Sequence, residues 1–168
     1  MGRTSLQDIR SVGDPLQSWN WDFLLPNMPG TSDSRPFTIK CQTATIPGFQ
    51  FEKVQVPLHG IELEYAGRLI YTHTFSVTVM ETADANTRGM FVRWKELMRS
   101  WIANTGSMSD VYKTNGQLIL YNDIPSVVRT VNIFGVWPET VDDFGLDGSQ
   151  SSLVSYNVSF SYDYTIDT

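Results

Sequence analysis

Two histidines, one cysteine and a run of aspartates are the residues of this sequence best suited to metal or nucleophilic chemistry. His59 sits in a stretch that reads as a loop and His73 in a strand, and neither has the local partner spacing of a zinc site. Cys41 has no second cysteine with which to form a disulfide or a CxxC redox or metal motif. Asp142, Asp143 and Asp147, with Gly145 and Gly148, could offer oxygens to calcium, but the spacing is not that of an EF-hand loop, and a solvated acidic turn is the better reading. There is no GxSxG elbow, Walker loop or GxGxxG fingerprint. Asn157, Val158 and Ser159 form a glycosylation sequon, yet they fall mid-strand in a chain whose N-terminus lacks the apolar core of a signal peptide. The chain reads as a non-enzyme without metal or cofactor.

What the sequence does carry is two period-two stripes. Tyr156, Val158, Phe160, Tyr162 and Tyr164 alternate with Ser155, Asn157, Ser159, Ser161 and Asp163. Tyr71, Phe75, Val77 and Val79 alternate with Thr72, Thr74, Ser76 and Thr78, with His73 interrupting the apolar side. Each stripe predicts a strand with one dry face and one face of short hydroxyls. An ordinary solvated face would carry more Lys and Glu, which keep edges from stray pairing.

The 168 residues predict one domain, 41% apolar, large enough to bury a core. The formal charge of −6 argues against a surface that grips nucleic acid through its phosphates. From Leu120 onward there are seven acids and one base, whereas Asp84 to Asn104 holds four bases and two acids. No run approaches the ~18 apolar residues of a membrane span, so the chain is expected to be soluble when made.

The basic stretch predicts the one helix, about residues 84–104. Phe91, Trp94, Leu97, Met98, Trp101 and Ile102 form its apolar stripe, Thr82 or Asp84 its cap, and Asn104, Thr105 and Gly106 its stop. Packing on a sheet is the expected use of that stripe, with a membrane or partner helix as the alternative. Trp19, Trp21, Phe23 and Leu25, and then Phe37, Ile39 and Cys41, alternate as two further strands around a turn and loop at 26–36. An extended run through Val54 and Val56, a strand from Gln117 to Tyr121 and another from Val127 to Val136 bring the expectation to about seven strands and one helix. Pro57–Gly67 reads as a long loop.

Several of these pieces occur in a telling order. Phe37 to Cys41 is followed by Ile46, Pro47 and Gly48; then come Tyr71 to Met80, a helix with Arg88, Phe91 and Trp94, the run Gly135, Val136, Trp137 and Pro138, an acidic loop and a last aromatic strand. Over about residues 17–164 this order resembles tail tube proteins of contractile-tailed bacteriophages. The resemblance implies a mainly β fold, an antiparallel β-sandwich or split β-barrel with one packed helix, as a single tail-tube domain with an N-terminal extension at 1–16. It implies hexameric rings that stack into a tube, wrapped by a tail sheath protein, with tape measure, baseplate and tail terminator proteins as partners. DNA would pass through the lumen without specific binding, and the protein would be part of a virion assembled in the host cytoplasm.

On that reading Thr72, Thr74, Ser76, Thr78, Ser155, Asn157, Ser159, Ser161 and Asp163 are expected on the lumen or an inter-subunit face. Glu62, Glu64, Asp142, Asp143 and Asp147 are expected to meet Arg88, Arg93 and Arg99 in ring stacking or sheath contacts. A type VI secretion or extracellular injection tube would share the fold, and a monomeric small-ligand β-barrel is the bland alternative.

Overall fold

The computed structural model describes residues 6–11, 15–124, 126–149 and 151–168. Part of the 1–16 extension, and Pro125 in the turn before Val127, therefore lie outside the described residues. In chain order the elements are α1 (Leu6–Arg10), β1 (Trp21–Leu24), α2 (Arg35–Lys40), β2 (Cys41–Ala44), β3 (Phe49–Leu58), β4 (Ile61–Tyr71), β5 (Thr74–Met80) and α3 (Asn86–Met98). They continue with β6 (Arg99–Ser100), β7 (Thr105–Gly106), α4 (Ser109–Tyr112), β8 (Thr114–Tyr121), β9 (Val127–Val141), β10 (Ser155–Ser161) and β11 (Tyr164–Asp167).

Seven strands form one antiparallel sheet in the order β1-β8-β9-β10-β5-β2, with β11 on the N-terminal half of β9. Gly135, at φ 69°, divides β9. Residues before it pair with β8 and β11, Val136 just after it still pairs with Thr114 of β8, and residues from Trp137 onward pair with β10. The bend curls the sheet until β1 approaches β2 without a ladder between them, which is the geometry of a split barrel. Phe23, Phe37, Phe75 and Phe160 fill the interior, with ring centres 5.3 to 6.4 Å apart. Edge-to-face contacts of this kind add about 0.5–1.5 kcal/mol each beyond burial. Helix α3 closes one side with Met90, Phe91 and Trp94, all buried, and Trp94 Nε1 donates to the Tyr112 carbonyl at 2.8 Å.

Several expectations fail in instructive ways. Residues 37–40 are helical, because Pro36 occupies the first turn of α2, where its missing N–H costs nothing; Phe37 is buried and Ile39 is exposed. The main helix ends at Met98. The chain then doubles back through the β6–β7 ladder, with Asn104 at φ 50°, so Trp101 and Ile102 extend no apolar stripe. Neither Thr82 nor Asp84 is the principal cap. Ala85 holds that position in a left-handed conformation, and the Glu81 carboxylate accepts the Thr87 and Arg88 amides at 3.1 and 2.8 Å. Both long stripes are broken: β4 and β5 are parted at His73, φ 57°, and β10 and β11 at Tyr162–Asp163. Trp19 lies outside β1 and is exposed. Pro57–Gly67 is not a loop but the distal part of the β3–β4 hairpin. Eleven strands and four helices are present among the described residues.

A Cβ at Gly135 would collide with the Asp163 carboxylate, which Lys113 holds at 2.7 Å, and φ there is one that L side chains rarely adopt. Gly135→Ala is expected to destabilise the chain by about 2 kcal/mol or more, read as a lowered urea midpoint. An unchanged midpoint would show that the bend in β9 tolerates a side chain.

Candidate assembly surfaces

The polar stripes converge. In the ladder between β5 and β10, Thr74 faces Ser161, Ser76 faces Ser159 and Thr78 faces Asn157, while Ser155 faces Met80 at the end. Their apolar neighbours Phe75, Val77, Val79, Tyr156, Val158 and Phe160 are buried on the other face. β2 extends the patch: Thr43 Oγ1 donates to Thr78 Oγ1 at 2.7 Å, and Thr45 Oγ1 accepts the Ser76 amide at 2.9 Å. The result is a wall of hydroxyls and one amide across three strands. Two predicted members leave it. Thr72 sits in the turn before β5 with its hydroxyl 3.1 Å from that of Tyr162, and Asp163 is paired with Lys113 in the turn after β10.

The second surface is the β3–β4 hairpin, which pairs with no third strand among the described residues. Its distal pairs Val54–Tyr65, Val56–Leu63 and Leu58–Ile61 put six apolar side chains on one face. All but Val56 are exposed. The other face carries Gln55–Glu64 and Pro57–Glu62, with Lys53 Nζ 3.0 Å from Glu64. Near the root the register shifts between Phe51 and Lys53, and a Cβ at Gly67 would lie 3.0 Å from the Glu52 carbonyl. By β3 alternation Phe49 and Phe51 therefore point opposite to Val54, Val56 and Leu58. The root side chains Phe49, Phe51, Leu69 and Tyr71 line an open groove of about 850 Å³ with Leu16, Leu120 and Val128 of the body.

The third surface surrounds α3. Partial burial raises the pKa of Glu81, but the Arg88, Thr82 and Thr87 amides and the Thr87 hydroxyl outweigh it and hold the carboxyl below its ordinary value. Lys40 Nζ donates to Thr82 and Thr87 at 2.6 and 2.9 Å. Arg88 donates to the Asp142 carbonyl at 3.3 Å, reaches Asp143 at 3.9 Å and stacks over Phe144. Arg93 Nε donates to the Gly30 carbonyl at 2.9 Å, fastening the 26–36 loop. Arg99 meets Asn104 Oδ1 at 3.1 Å, and the Ser149 hydroxyl and amide hold Asp147 below the usual carboxylate range. The structure thus brings Arg88 to Asp142 and Asp143 within one chain, and leaves Arg99 apart from them.

Among the described residues no three of His, Cys, Asp and Glu gather as a metal cluster. His59 occupies the hairpin turn, His73 Nδ1 is 3.0 Å from the Tyr162 carbonyl, and burial with the Asp22 charge pushes the Cys41 thiol up to about 12. The space a small-ligand barrel would keep open is filled by phenylalanine rings.

The sequence model of a family described as phage tail tube protein matches residues 22–166. The chain belongs to the phage tail tube protein family. The tail tube proteins gp19 of Enterobacteria phages T4 and T6 are 27% and 28% identical to it over 149 residues, 85% of this chain and 91% of each relative. The fold is similar to a chain of the anti-feeding prophage tube-terminating cap (TM-score 0.67, 12% identity, 93% of this chain and 92% of that one). It is also similar to a chain of the PVC extracellular injection sheath–tube complex (TM-score 0.60, 13% identity, 99% of both). The expected mainly β fold and the phage tail tube role both hold: this tail tube protein is a structural component of the virion.

Because the folded pKa of Glu81 lies below its ordinary 4.5, its contribution to stability is present above that pH and is lost as pH falls through the folded value. Glu81→Gln is expected to lower stability at neutral pH and to flatten the acid limb of a urea-midpoint profile against pH. A variant profile parallel to that of the native chain would contradict the capping role.

Proposed function

We propose that this tail tube protein forms hexameric rings that stack into the inner tube of a contractile tail, with the hairpin face of Val54, Val56, Leu58, Ile61, Leu63 and Tyr65 covered by adjacent copies. The observation that carries the reading is that face. Fully burying a large apolar side chain contributes about 1.5–3 kcal/mol, whereas a surface ion pair such as Lys53–Glu64 contributes roughly 0–1. Burial therefore drives the contact, and the charged face orients it. Six-fold closure draws support from a related fold in the six-fold symmetrised baseplate of the anti-feeding prophage (TM-score 0.61, 15% identity).

In the tube, the hydroxyl wall of β5 and β10 faces the lumen or a neighbouring subunit. A lumen without Lys or Arg avoids the phosphate contacts and counterion release that make DNA binding tight, so the genome slides without specific binding. The sheath, tape measure, baseplate and terminator proteins are the other partners, assembly takes place in the host cytoplasm, and no chemical step is catalysed. Residues 1–168 act as one tail-tube domain. Similar folds in extracellular injection particles favour a second reading, a tube that carries protein; a particle loaded with DNA or with protein decides between them.

Leu63→Asp with Tyr65→Asp is expected to leave the circular dichroism of the chain intact and to abolish rings and tubes in negative-stain images. Tubes of native diameter from the variant would overturn the role of the hairpin face. Ser76→Lys with Ser159→Lys is expected to leave tubes intact and to slow genome ejection from whole particles, and ejection at the native rate would remove this wall from the lumen.

A further inference from the structure

The two ends of α3 carry surfaces of opposite character. At its start, Arg88 tethers Asp142, Asp143 and Phe144, and the segment beyond them presents Leu146, 81% exposed, beside Asp147. This end is acidic with an uncovered leucine. At the other end the β6–β7 turn lifts Trp101 and Ile102 into solvent, 85% and 94% exposed, next to Arg99. Lys95 shares Glu96 at 3.8 Å, but Arg99 has no carboxylate partner among the described residues. This end is basic with two large apolar side chains.

The 13 residues of α3 span about 20 Å at 1.5 Å per residue, with Arg88 and its Asp142–Phe144 partners at the start and Arg99 just past the end. We propose that the Arg99–Trp101–Ile102 corner of one copy docks the Leu146–Asp147 segment of a second copy, head to tail. Charge complementarity names the occupant: Arg99, hydrogen-bonded to Asn104 but without a carboxylate partner among the described residues, lies at one end of the helix, and an acidic segment with an uncovered apolar residue lies beyond the other. Because the contacting surfaces differ, the contact is heterologous. It propagates into a closed ring or a stack, whereas a two-fold contact would stop at a dimer. Opposite charges fix the register and disfavour reversed docking, while burial of Trp101 and Ile102 supplies the attraction. The inference rests on the tube reading and adds a contact separate from the hairpin.

The test uses the full chain with Ile102→Cys and Leu146→Cys, both at exposed positions, and the native chain with Cys41 alone as control. Oxidation of the assembled variant is expected to give a ladder of covalent multimers that the control lacks. Assembled protein that yields only monomers, or nothing beyond a dimer, overturns the contact and leaves the tube reading standing. A native chain that stays monomeric at every concentration, even with a baseplate seed, overturns the tube reading itself. Arg99→Glu is expected to raise the concentration needed for assembly about tenfold, as is Asp147→Lys, with recovery when the two are combined. Additive losses in the double variant overturn the pairing.

Discussion

A two-stranded β-ribbon has too few neighbours to be independently stable in water, and three or more strands with a buried face are normally needed. The β3–β4 hairpin of this tail tube protein violates that requirement within the subunit, since it pairs with no third strand among the described residues and leaves one apolar face open. The constraint accounts for much of the remaining organisation. The body is complete without the hairpin: its seven strands wrap around their own aromatic core, and α3 seals the side. In the proposed tube the hairpin is the extra surface that a second molecule covers.

The root of the hairpin shows how its aim is set. A register shift near Gly67 turns the root side chains toward the groove by β8 and β9 and the distal ones the opposite way. Salt-bridged Glu52 and Arg68, 2.8 Å apart, flank the shift. Glycine is required there by close approach to the Glu52 carbonyl, even though its φ is ordinary. One ribbon therefore meets its own subunit at the base and, in the proposed tube, another molecule at the tip.

Much of this was legible in the sequence, and the failures share a cause. The alternation in β5 and β10 identified the core face and the hydroxyl wall, because both strands are half-buried and period two is then unambiguous. The extended run through Val54 and Val56 was legible, but Pro57–Gly67 was read as a loop because Pro57 and the His59–Gly60 turn punctuate it, although Ile61, Leu63 and Tyr65 against Glu62 and Glu64 already spelled the second strand of a two-faced ribbon. Its register shift interrupts the pattern that would have revealed it. Phe37 to Cys41 misled for another reason: five residues are too few for period two to be told from a short helix, and Pro36 was the deciding residue for Phe37–Lys40. Trp101 and Ile102 continued the spacing of α3, and no local signal marked the backbone reversal at Arg99. Thr72 and Asp163 were assigned to the wall by parity alone, which cannot see a turn.

On the proposed assembly the distal hairpin is uncovered in the free subunit and covered in the tube. Amide hydrogen exchange on residues 53–66, measured on unassembled chain and on assembled tubes, tests it most directly. The account predicts fast exchange in the free subunit and strong protection in the tube, while the β5 and β10 amides stay protected in both. Equal protection of residues 53–66 in the two states would contradict it.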